Sequence, residues 1–333
     1  MRVETTRTAG TVRLRHAVGF TDGFGPASAT SGAVAAAAPF VAGARGRDEP
    51  VALAVRPATA RALAAVPPAE GLPGPSTDDP AVVPLTVPDG PDHSGQTLAA
   101  RWARELRALG RGRGGVTVIV EHDPDLDGLD GGFWTELDAA LNVALADVAA
   151  TVLCLYPQLP LHLEVLDAAR RNHPLVLADG VLRHNPEHRG AREVLTDRGG
   201  VPAPALLGAP DVAMGFDTWQ LVELRDTVAR AAQAAGCDRD RVADLVLAVN
   251  EVATNAVEHG SGDAHLALWT DGRRELLCEV HDGGRLADPL PGLRAPHPSD
   301  PRGRGLWIAR QLCDLLHVWG DDTGTHVRIR ALP

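Results

Sequence analysis

The chain has 333 residues, of which 44% are apolar and 4% aromatic, and its formal net charge is −11. This apolar content is enough for packed cores, the length suggests two domains, and the acidic excess disfavours non-specific binding to nucleic acid. No apolar run is long enough to cross a bilayer, and the N-terminus lacks the apolar segment of a secretory signal, so we predict a cytoplasmic protein.

The first half of the chain alternates between strand-like and helix-like segments, beginning with a strand near His16. Five further apolar runs have the length of strands, and they cover residues 50–55, 81–87, 116–121, 150–156 and 174–178. Segments with apolar residues at helical spacing lie between several of these runs, at residues 97–110, 133–149 and 164–172. Such alternation predicts an α/β domain with a mainly parallel sheet over residues 16–198.

The second half of the chain follows a segment rich in glycine and proline, residues 199–216, which we interpret as an inter-domain linker. Two amphipathic helices are expected next, one from the N-cap Asp217 to Gly236 and one from the N-cap Asp238 to Gly260. A hairpin, a third helix and a second hairpin complete the pattern, at residues 264–280, 303–316 and 317–332. This order predicts an α+β domain with a largely antiparallel sheet over residues 217–331.

Every basic residue other than histidine is arginine, because the sequence contains no lysine. This excludes the lysine of a P-loop and the strand lysine of eukaryotic-type protein kinases. The four cysteines lie in apolar contexts and none is within metal-clip spacing of another: Cys154, Cys237, Cys278 and Cys313. We therefore predict buried free thiols rather than a disulfide or zinc framework.

The second predicted helix of the C-terminal half carries a polar stripe along the side opposite its apolar face. The apolar face collects Val242, Leu245, Val249, Val252, Ala253 and Ala256, and the stripe collects Asp244, Glu251, Asn255 and Glu258. A solvated face would account for such a stripe, but asparagine is a poor helix former and Asn250 and Asn255 both lie deep in the helix. Glu251 lies four residues before Asn255, which places a carboxylate beside a carboxamide and allows the pair to hold Mg²⁺ or its water.

Two glycine clusters follow this helix in the sequence. Asp282 ends a predicted strand and precedes Gly283 and Gly284, which either let the backbone approach a planar ligand or simply turn the chain. Gly303 and Gly305 open the third predicted helix, where free backbone N–H groups can form a phosphate cradle.

In this order the motifs resemble the GHKL (Bergerat-fold) ATPases over residues 217–331, most closely the bacterial anti-sigma-factor serine kinases of the RsbW and SpoIIAB type. The resemblance implies a two-layer α+β sandwich with ATP and Mg²⁺ as cofactors. It implies that Asn255 binds Mg²⁺, that Glu251 is the catalytic base for an incoming serine hydroxyl, and that Asp282 accepts a hydrogen bond from the adenine amino group. The same motifs assign five further nucleotide-binding residues: Gly284, Gly303, Gly305, Leu306 and Thr325.

Some parts of this chain depart from the family pattern. Many relatives continue the adenine motif to a third glycine, which the sequence 282–286, DGGRL, lacks. The resemblance makes residues 286–302 the ATP lid, which is short and proline-rich, so we expect limited closure. In the absence of lysine, Mg²⁺, a helix N-terminus and Arg302 or Arg304 could neutralise the phosphate charge.

A second resemblance covers roughly residues 16–190. Asn142, the strand from Cys154 to Tyr156, and the helix that ends at His173 and Pro174 are similar to the MEDS sensory domain. That domain precedes an anti-sigma-type ATPase in actinobacterial regulators of the RsbA kind. The resemblance implies a sensory role, whereas a generic α/β core would make Cys154 and Tyr156 packing residues.

Together these features predict an anti-sigma-factor-type regulator of transcription and signal transduction. We expect it to bind Mg-ATP and phosphorylate a serine or threonine of an anti-sigma-factor antagonist, under control of the N-terminal domain. Its expected partners are a sigma factor, the antagonist or both, with no direct nucleic acid or membrane, and a homodimer is left open. The main alternative is an ATP-binding protein that sequesters a partner without phosphorylating it. A sensor histidine kinase is disfavoured, because residues 218–235 contain no phosphoacceptor histidine.

Overall fold

The computed structural model divides the chain into two compact units. The described residues are 14–22, 26–69, 82–87, 94–123, 126, 132–159, 161–260, 264–271, 275–297, 299 and 303–333. The N-terminal unit comprises Met1–Pro91 with Arg101–Val194, and the C-terminal unit comprises Asp92–Ala100 with Leu195–Pro333. The C-terminal unit therefore includes a short segment from the first half of the chain. The sequence analysis predicts two contiguous domains and does not assign this segment to the second one.

The first 200 residues supply a seven-stranded sheet and six helices within the described part of the chain. The strands are β1 (Arg15–Thr21), β2 (Val51–Ala54), β3 (Val82–Pro84), β4 (Val116–Glu121), β5 (Ala150–Pro157), β6 (Leu175–Ala178) and β7 (Val181–His184). The helices are α1 (Pro26–Gly46), α2 (Pro57–Ala64), α3 (Gly95–Leu109), α4 (Gly132–Ala144), α5 (Leu163–Asn172) and α6 (Ala191–Asp197). The strand order is β3-β2-β4-β5-β1-β6-β7, and only the β6–β7 pair is antiparallel. The predicted α/β class with a mainly parallel sheet is confirmed.

Burial explains why the central strands read as continuous apolar runs. All residues of β2 and β4 are buried, as expected for parallel strands that are covered on both faces. Helix α1 packs against this core through small residues at helical spacing, Ala33, Ala37, Val41 and Ala44, each at most 2% exposed.

The C-terminal unit contains a five-stranded sheet packed against helices. The strands are β8 (Val212–Phe216), β9 (Ala264–Asp271), β10 (Glu275–Asp282), β11 (Leu315–Asp321) and β12 (Gly324–Ala331), in the order β11-β12-β10-β9-β8. Every neighbouring pair is antiparallel. The helices are α7 (Leu221–Ala234), preceded by a 3₁₀ turn at Thr218–Gln220, α8 (Arg239–His259) and α9 (Gly305–Leu312). The predicted α+β arrangement is confirmed. Its antiparallel sheet is separate from the parallel sheet of the first 200 residues.

Helix α8 begins and ends where its capping residues predict. The Asp238 side chain accepts a hydrogen bond from the backbone N–H of Arg241, and Gly260 is the C-cap. The predicted apolar face is buried throughout, with its six members between 0% and 9% exposed. Burial of each larger aliphatic side chain stabilises the unit by roughly 1.5–3 kcal/mol relative to exposure.

Several elements differ from the sequence prediction. Helices α1, α2 and α6 and strands β7 and β8 were not predicted, and β8 lies inside the segment interpreted as a linker. Helix α4 ends at Ala144 rather than at residue 149, because residues 145–147 form a turn. Helix α9 ends at Leu312 rather than at residue 316, because its C-cap Cys313 is extended and the next residues enter β11.

No helix in the described part of the chain is both long enough and apolar enough to span a membrane.

All four cysteines are free, as predicted, and only Cys313 is less than fully buried.

One histidine makes the stability of the C-terminal unit depend on pH. The His326 ring on β12 lies between two carboxylates, with Nδ1 3.4 Å from Glu279 Oε1 and Nε2 3.2 Å from Asp321 Oδ2. Burial alone would lower the pKa of His326, but the two carboxylates outweigh it and raise that pKa above the ordinary 6.5. Because the folded-state pKa exceeds the unfolded one, this contribution is complete below pH 6.5 and is lost as pH rises through the folded-state pKa.

We therefore expect His326→Gln to lower the thermal unfolding temperature of the C-terminal unit more at pH 6 than at pH 8.5. Calorimetric unfolding of the full chain across this range measures the difference. His184→Gln, at an exposed position on β7, is the matched control. Equal losses at both pH values would contradict the assigned ion pairs.

Candidate functional site

Helix α8 directs part of its polar stripe toward the region between α9 and the end of β10. Glu251 and Asn255 are partly buried, and His259 lies one turn further along the same side. Asn250 points elsewhere, since its Oδ1 accepts a hydrogen bond from Arg225 on α7 at 3.1 Å. Of the two asparagines that are unusual in this helix, only Asn255 remains available for a site.

Asp282 ends β10 and lies opposite Thr325 on β12. Its Oδ1 accepts a hydrogen bond from Gly284 N at 2.7 Å, and Thr325 Oγ1 donates to Gly284 O at 2.9 Å. A Cβ atom on Gly284 would lie 2.6 Å from Asp282 Oδ1 and 3.0 Å from His259 O. The turn after β10 is therefore held in one conformation by both neighbouring side chains, and that conformation requires glycine.

The start of α9 lies against the polar stripe of α8. Gly303 has a φ of +82°, which favours glycine, and α9 begins two residues later at Gly305 without a side-chain cap. A Cβ atom on Gly305 would lie 2.6 Å from Glu251 Oε2 and 3.5 Å from Asn255 Nδ2. The start of α9 thus lies close to a carboxylate and a carboxamide, and the first backbone N–H groups of the helix have no intrahelical acceptor.

These elements enclose one cavity of about 390 Å³. All seven residues to which nucleotide binding was assigned line it: Asn255, Asp282, Gly284, Gly303, Gly305, Leu306 and Thr325. Part of the wall is apolar, with Val252, Ala256 and Val280 contributing. Glu251 lies next to this lining, beside Gly305. The cavity therefore combines an apolar wall with a few polar groups, as small-molecule sites do.

The cavity also has lining residues that the sequence analysis did not assign, among them His259, Arg285, Asp288 and Gly292. Gly292 has a φ of +70°, and a Cβ atom there would lie 2.7 Å from Leu306 Cβ. The Pro291–Gly292 dipeptide is a turn signal that could have identified this approach of the loop to α9.

The loop predicted as a lid is anchored in its described part. Leu290 and Leu293 are 2% exposed, and Arg310 on α9 donates through Nε to Pro291 O at 3.0 Å. Of the two arginines considered for phosphate, Arg302 lies outside the described residues. Arg304 is exposed and donates to His297 O at 3.4 Å.

One family model matches most of the C-terminal unit. Residues 216–331 match the family model described as "Histidine kinase-like ATPase domain". The C-terminal unit carries a GHKL-type ATPase domain. The match runs from the end of β8 to β12 and includes α8 and α9, the two helices that line the cavity, so the cavity is the candidate active site of an ATPase domain.

Two solved structures are similar to part of the chain. One contains the RsbU and RsbW domains of Rv1364c from Mycobacterium tuberculosis, at 21% identity and a TM-score of 0.26, over 37% of this chain and 33% of that one. The other is the histidine kinase domain of the blue-light activated histidine kinase from Erythrobacter litoralis EL346, at 21% identity and a TM-score of 0.23. That match covers 38% of this chain and 65% of that one, so this chain spans less than two thirds of either structure. No curated protein matches the chain.

The close approach at Gly284 generates a prediction about the ATPase domain. Gly284→Ala should lower its free energy of unfolding by about 1–3 kcal/mol, because the new methyl group meets the Asp282 carboxylate and the backbone of His259. Urea unfolding of the full chain measures the loss. Gly208→Ala is the control, since nothing lies within 4 Å of a Cβ atom there. Equal stability of the two variants would show that the turn is not restricted as described.

Proposed function

We propose that the ATPase domain binds Mg-ATP and transfers the γ-phosphoryl group to a serine or threonine of an anti-sigma-factor antagonist. The observation that carries the proposal is that the seven residues predicted to bind nucleotide line one cavity, with Glu251 at its edge. The N-terminal α/β unit is proposed to control this activity as a sensory domain. The sigma factor and its antagonist are the proposed partners.

The adenine base is assigned to the end of the cavity formed by β10 and β12. Asp282 Oδ1 already accepts the Gly284 N–H, which fixes the carboxylate and orients it toward a ligand amino group. Thr325 holds the following carbonyl in place, and the apolar wall provides a surface for a planar ring.

The phosphates are assigned to the opposite end, at the start of α9. Uncapped backbone N–H groups and the positive end of the helix dipole favour anions there. The donor set at this end fits Mg²⁺, because Asn255 supplies an uncharged oxygen and Mg²⁺ prefers one or two protein oxygens together with phosphate and water. When bound, the ion would neutralise charge on the phosphate oxygens.

Glu251 is the proposed catalytic base. Its carboxylate lies beside the start of α9, where the terminal phosphate is assigned. In the transfer, the substrate hydroxyl gives its proton to Glu251 and its oxygen bonds to the γ-phosphorus. The bond from that phosphorus to the bridging oxygen breaks, and ADP leaves.

Asn255→Ala should abolish the magnesium dependence of ATP binding, because it removes the oxygen assigned to the ion. Calorimetric titration with ATP in Mg²⁺ and in EDTA measures the effect. The matched control is Asn250→Ala, which removes the same group from the same helix but outside the cavity. Unchanged magnesium-dependent affinity in Asn255→Ala would mean that the phosphate end is misassigned.

Glu251→Gln should slow phosphoryl transfer by roughly 10²–10⁴-fold while ATP still binds, because only proton removal is lost. Transfer of labelled phosphate to candidate antagonist proteins measures the rate. Glu258→Gln, at an exposed carboxylate on the same helix, should transfer at the wild-type rate.

The same assay separates the proposal from its main alternative. ATP binding without transfer to any antagonist would indicate a protein that sequesters its partner without modifying it. The absence of the third glycine of the adenine motif in residues 282–286 is the feature that favours this alternative. Pull-down of bound proteins with the full chain, followed by mass spectrometry, would identify the partner in either case.

A further inference from the structure

Four potential metal ligands meet in the interior of the N-terminal unit. They are His16 on β1, Asp138 on α4, Cys154 on β5 and His173, which follows α5. One ligand atom from each lies within 4.8 Å of every other, and all four residues are at most 1% exposed. Chance clusters of this kind are common at acidic surfaces, but this cluster is buried and contains three types of ligand.

The hydrogen bond of His173 leaves one ring nitrogen available. Its Nδ1 lies 2.6 Å from Ala169 O, a carbonyl that can only accept, so Nδ1 carries the proton and donates. Nε2 therefore presents a lone pair. It has no hydrogen-bond partner among the described residues and lies 3.7 Å from Asp138 Oδ2. A histidine that ligates a metal commonly donates its other N–H to a backbone carbonyl in this way.

The tautomer of His16 follows from its neighbour Asn142. The Asn142 amide donates to Asp138 O at 3.2 Å and to Asn172 O at 2.7 Å, so the nitrogen and oxygen of the amide are identified. Its Oδ1 must accept from His16 Nδ1, 3.0 Å away. The second ring nitrogen of His16 thus also presents a lone pair, and it lies 3.3 Å from Cys154 Sγ.

Asp138 is oriented in a similar way. Its Oδ2 accepts a hydrogen bond from Tyr156 Oη at 2.6 Å, the Cys154 thiol interacts with the carboxylate, and no donor lies in hydrogen-bond geometry with the buried Oδ1 in the described structure. A buried polar atom without a partner is costly, and the cluster contains two such atoms, Asp138 Oδ1 and His173 Nε2. A bound cation would satisfy both.

We propose that His16, Asp138, Cys154 and His173 form a structural metal site for one borderline-soft divalent cation, with zinc as the best fit. Imidazole, thiolate and carboxylate are the ligands of zinc in proteins, and four protein ligands with full burial match a closed site without an open position. Tetrahedral zinc spaces its ligand atoms about 3.5 Å apart, so small side-chain rotations bring this set into place. The ion would connect β1 and β5 to α4 and to the end of α5.

Burial shifts the pKa values of these groups in the absence of an ion. It lowers the pKa of His16 to about 3 and that of His173 to about 4, and it raises the pKa of Asp138 to about 6. Burial and the neighbouring Asp138 raise the pKa of the Cys154 thiol, and a cation reverses this effect because it binds the thiolate directly.

The test uses the full chain, produced without a polyhistidine tag and with zinc in the medium. We expect about one zinc per chain by elemental analysis. X-ray absorption at the zinc edge should show one sulfur at about 2.3 Å and nitrogen or oxygen ligands at about 2.0–2.2 Å. Wild-type protein that stays metal-free in zinc and after incubation with Co²⁺, or that binds zinc without a sulfur ligand, would overturn the proposal.

A pair of variants locates the site. Cys154→Ser should lose the sulfur ligand and bind zinc at least about tenfold more weakly. Cys278→Ser, at a buried cysteine of the C-terminal unit, should keep both. If Cys154→Ser does not fold, a Co²⁺-substituted chain in which Cys237, Cys278 and Cys313 are all replaced by serine decides the matter. A retained sulfur-to-cobalt charge-transfer band supports the site, and its loss would assign the ion to the other unit.

Discussion

Burial of one face of α8 against the antiparallel sheet fixes the direction of its opposite stripe. The apolar residues between Val242 and Ala256 leave the helix one orientation, because rotation about its axis would expose them to water. In that orientation Glu251 and Asn255 face the start of α9. The candidate chemistry of the ATPase domain thus depends on the packing of residues that take no part in it.

Glycines bring the remaining parts of the cavity to the same place. At Gly284, Gly292 and Gly305 the space for a side chain is already filled by residues from another element or turn. The close approaches put Asp282, the first turn of α9 and the polar stripe of α8 around one volume. The N-terminal unit uses its polar groups differently, since its four potential metal ligands are enclosed in the interior.

The sequence predicted those parts that depend on local signals. Asp238, Gly260 and a clear helical period define α8, and continuous apolar runs define β4 and β5. Helix α1 was missed because alanine, glycine and serine give little contrast between its two faces, and Pro39 interrupts the pattern. Strand β8 was missed because it lies in a segment whose glycine and proline content is typical of a linker.

The two candidate sites also differ in how far local sequence signals predict them. The seven cavity residues lie in motifs with a characteristic order, so a resemblance was enough to bring them together. His16 and Cys154, by contrast, are 138 positions apart, and only the pairing of β1 with β5 makes them neighbours. The prediction that no zinc framework exists rested on the spacing between cysteines, which does not detect a site that has only one.

The central claim, that the cavity between α8, α9 and β10 binds Mg-ATP, is tested most directly by a crystal structure of the full chain with Mg²⁺ and a non-hydrolysable ATP analogue. We expect the adenine amino group within hydrogen-bond distance of Asp282, the ion beside Asn255 and the phosphates at the start of α9. A nucleotide bound elsewhere, or bound in this cavity without contact to Asp282 and Asn255, would contradict it.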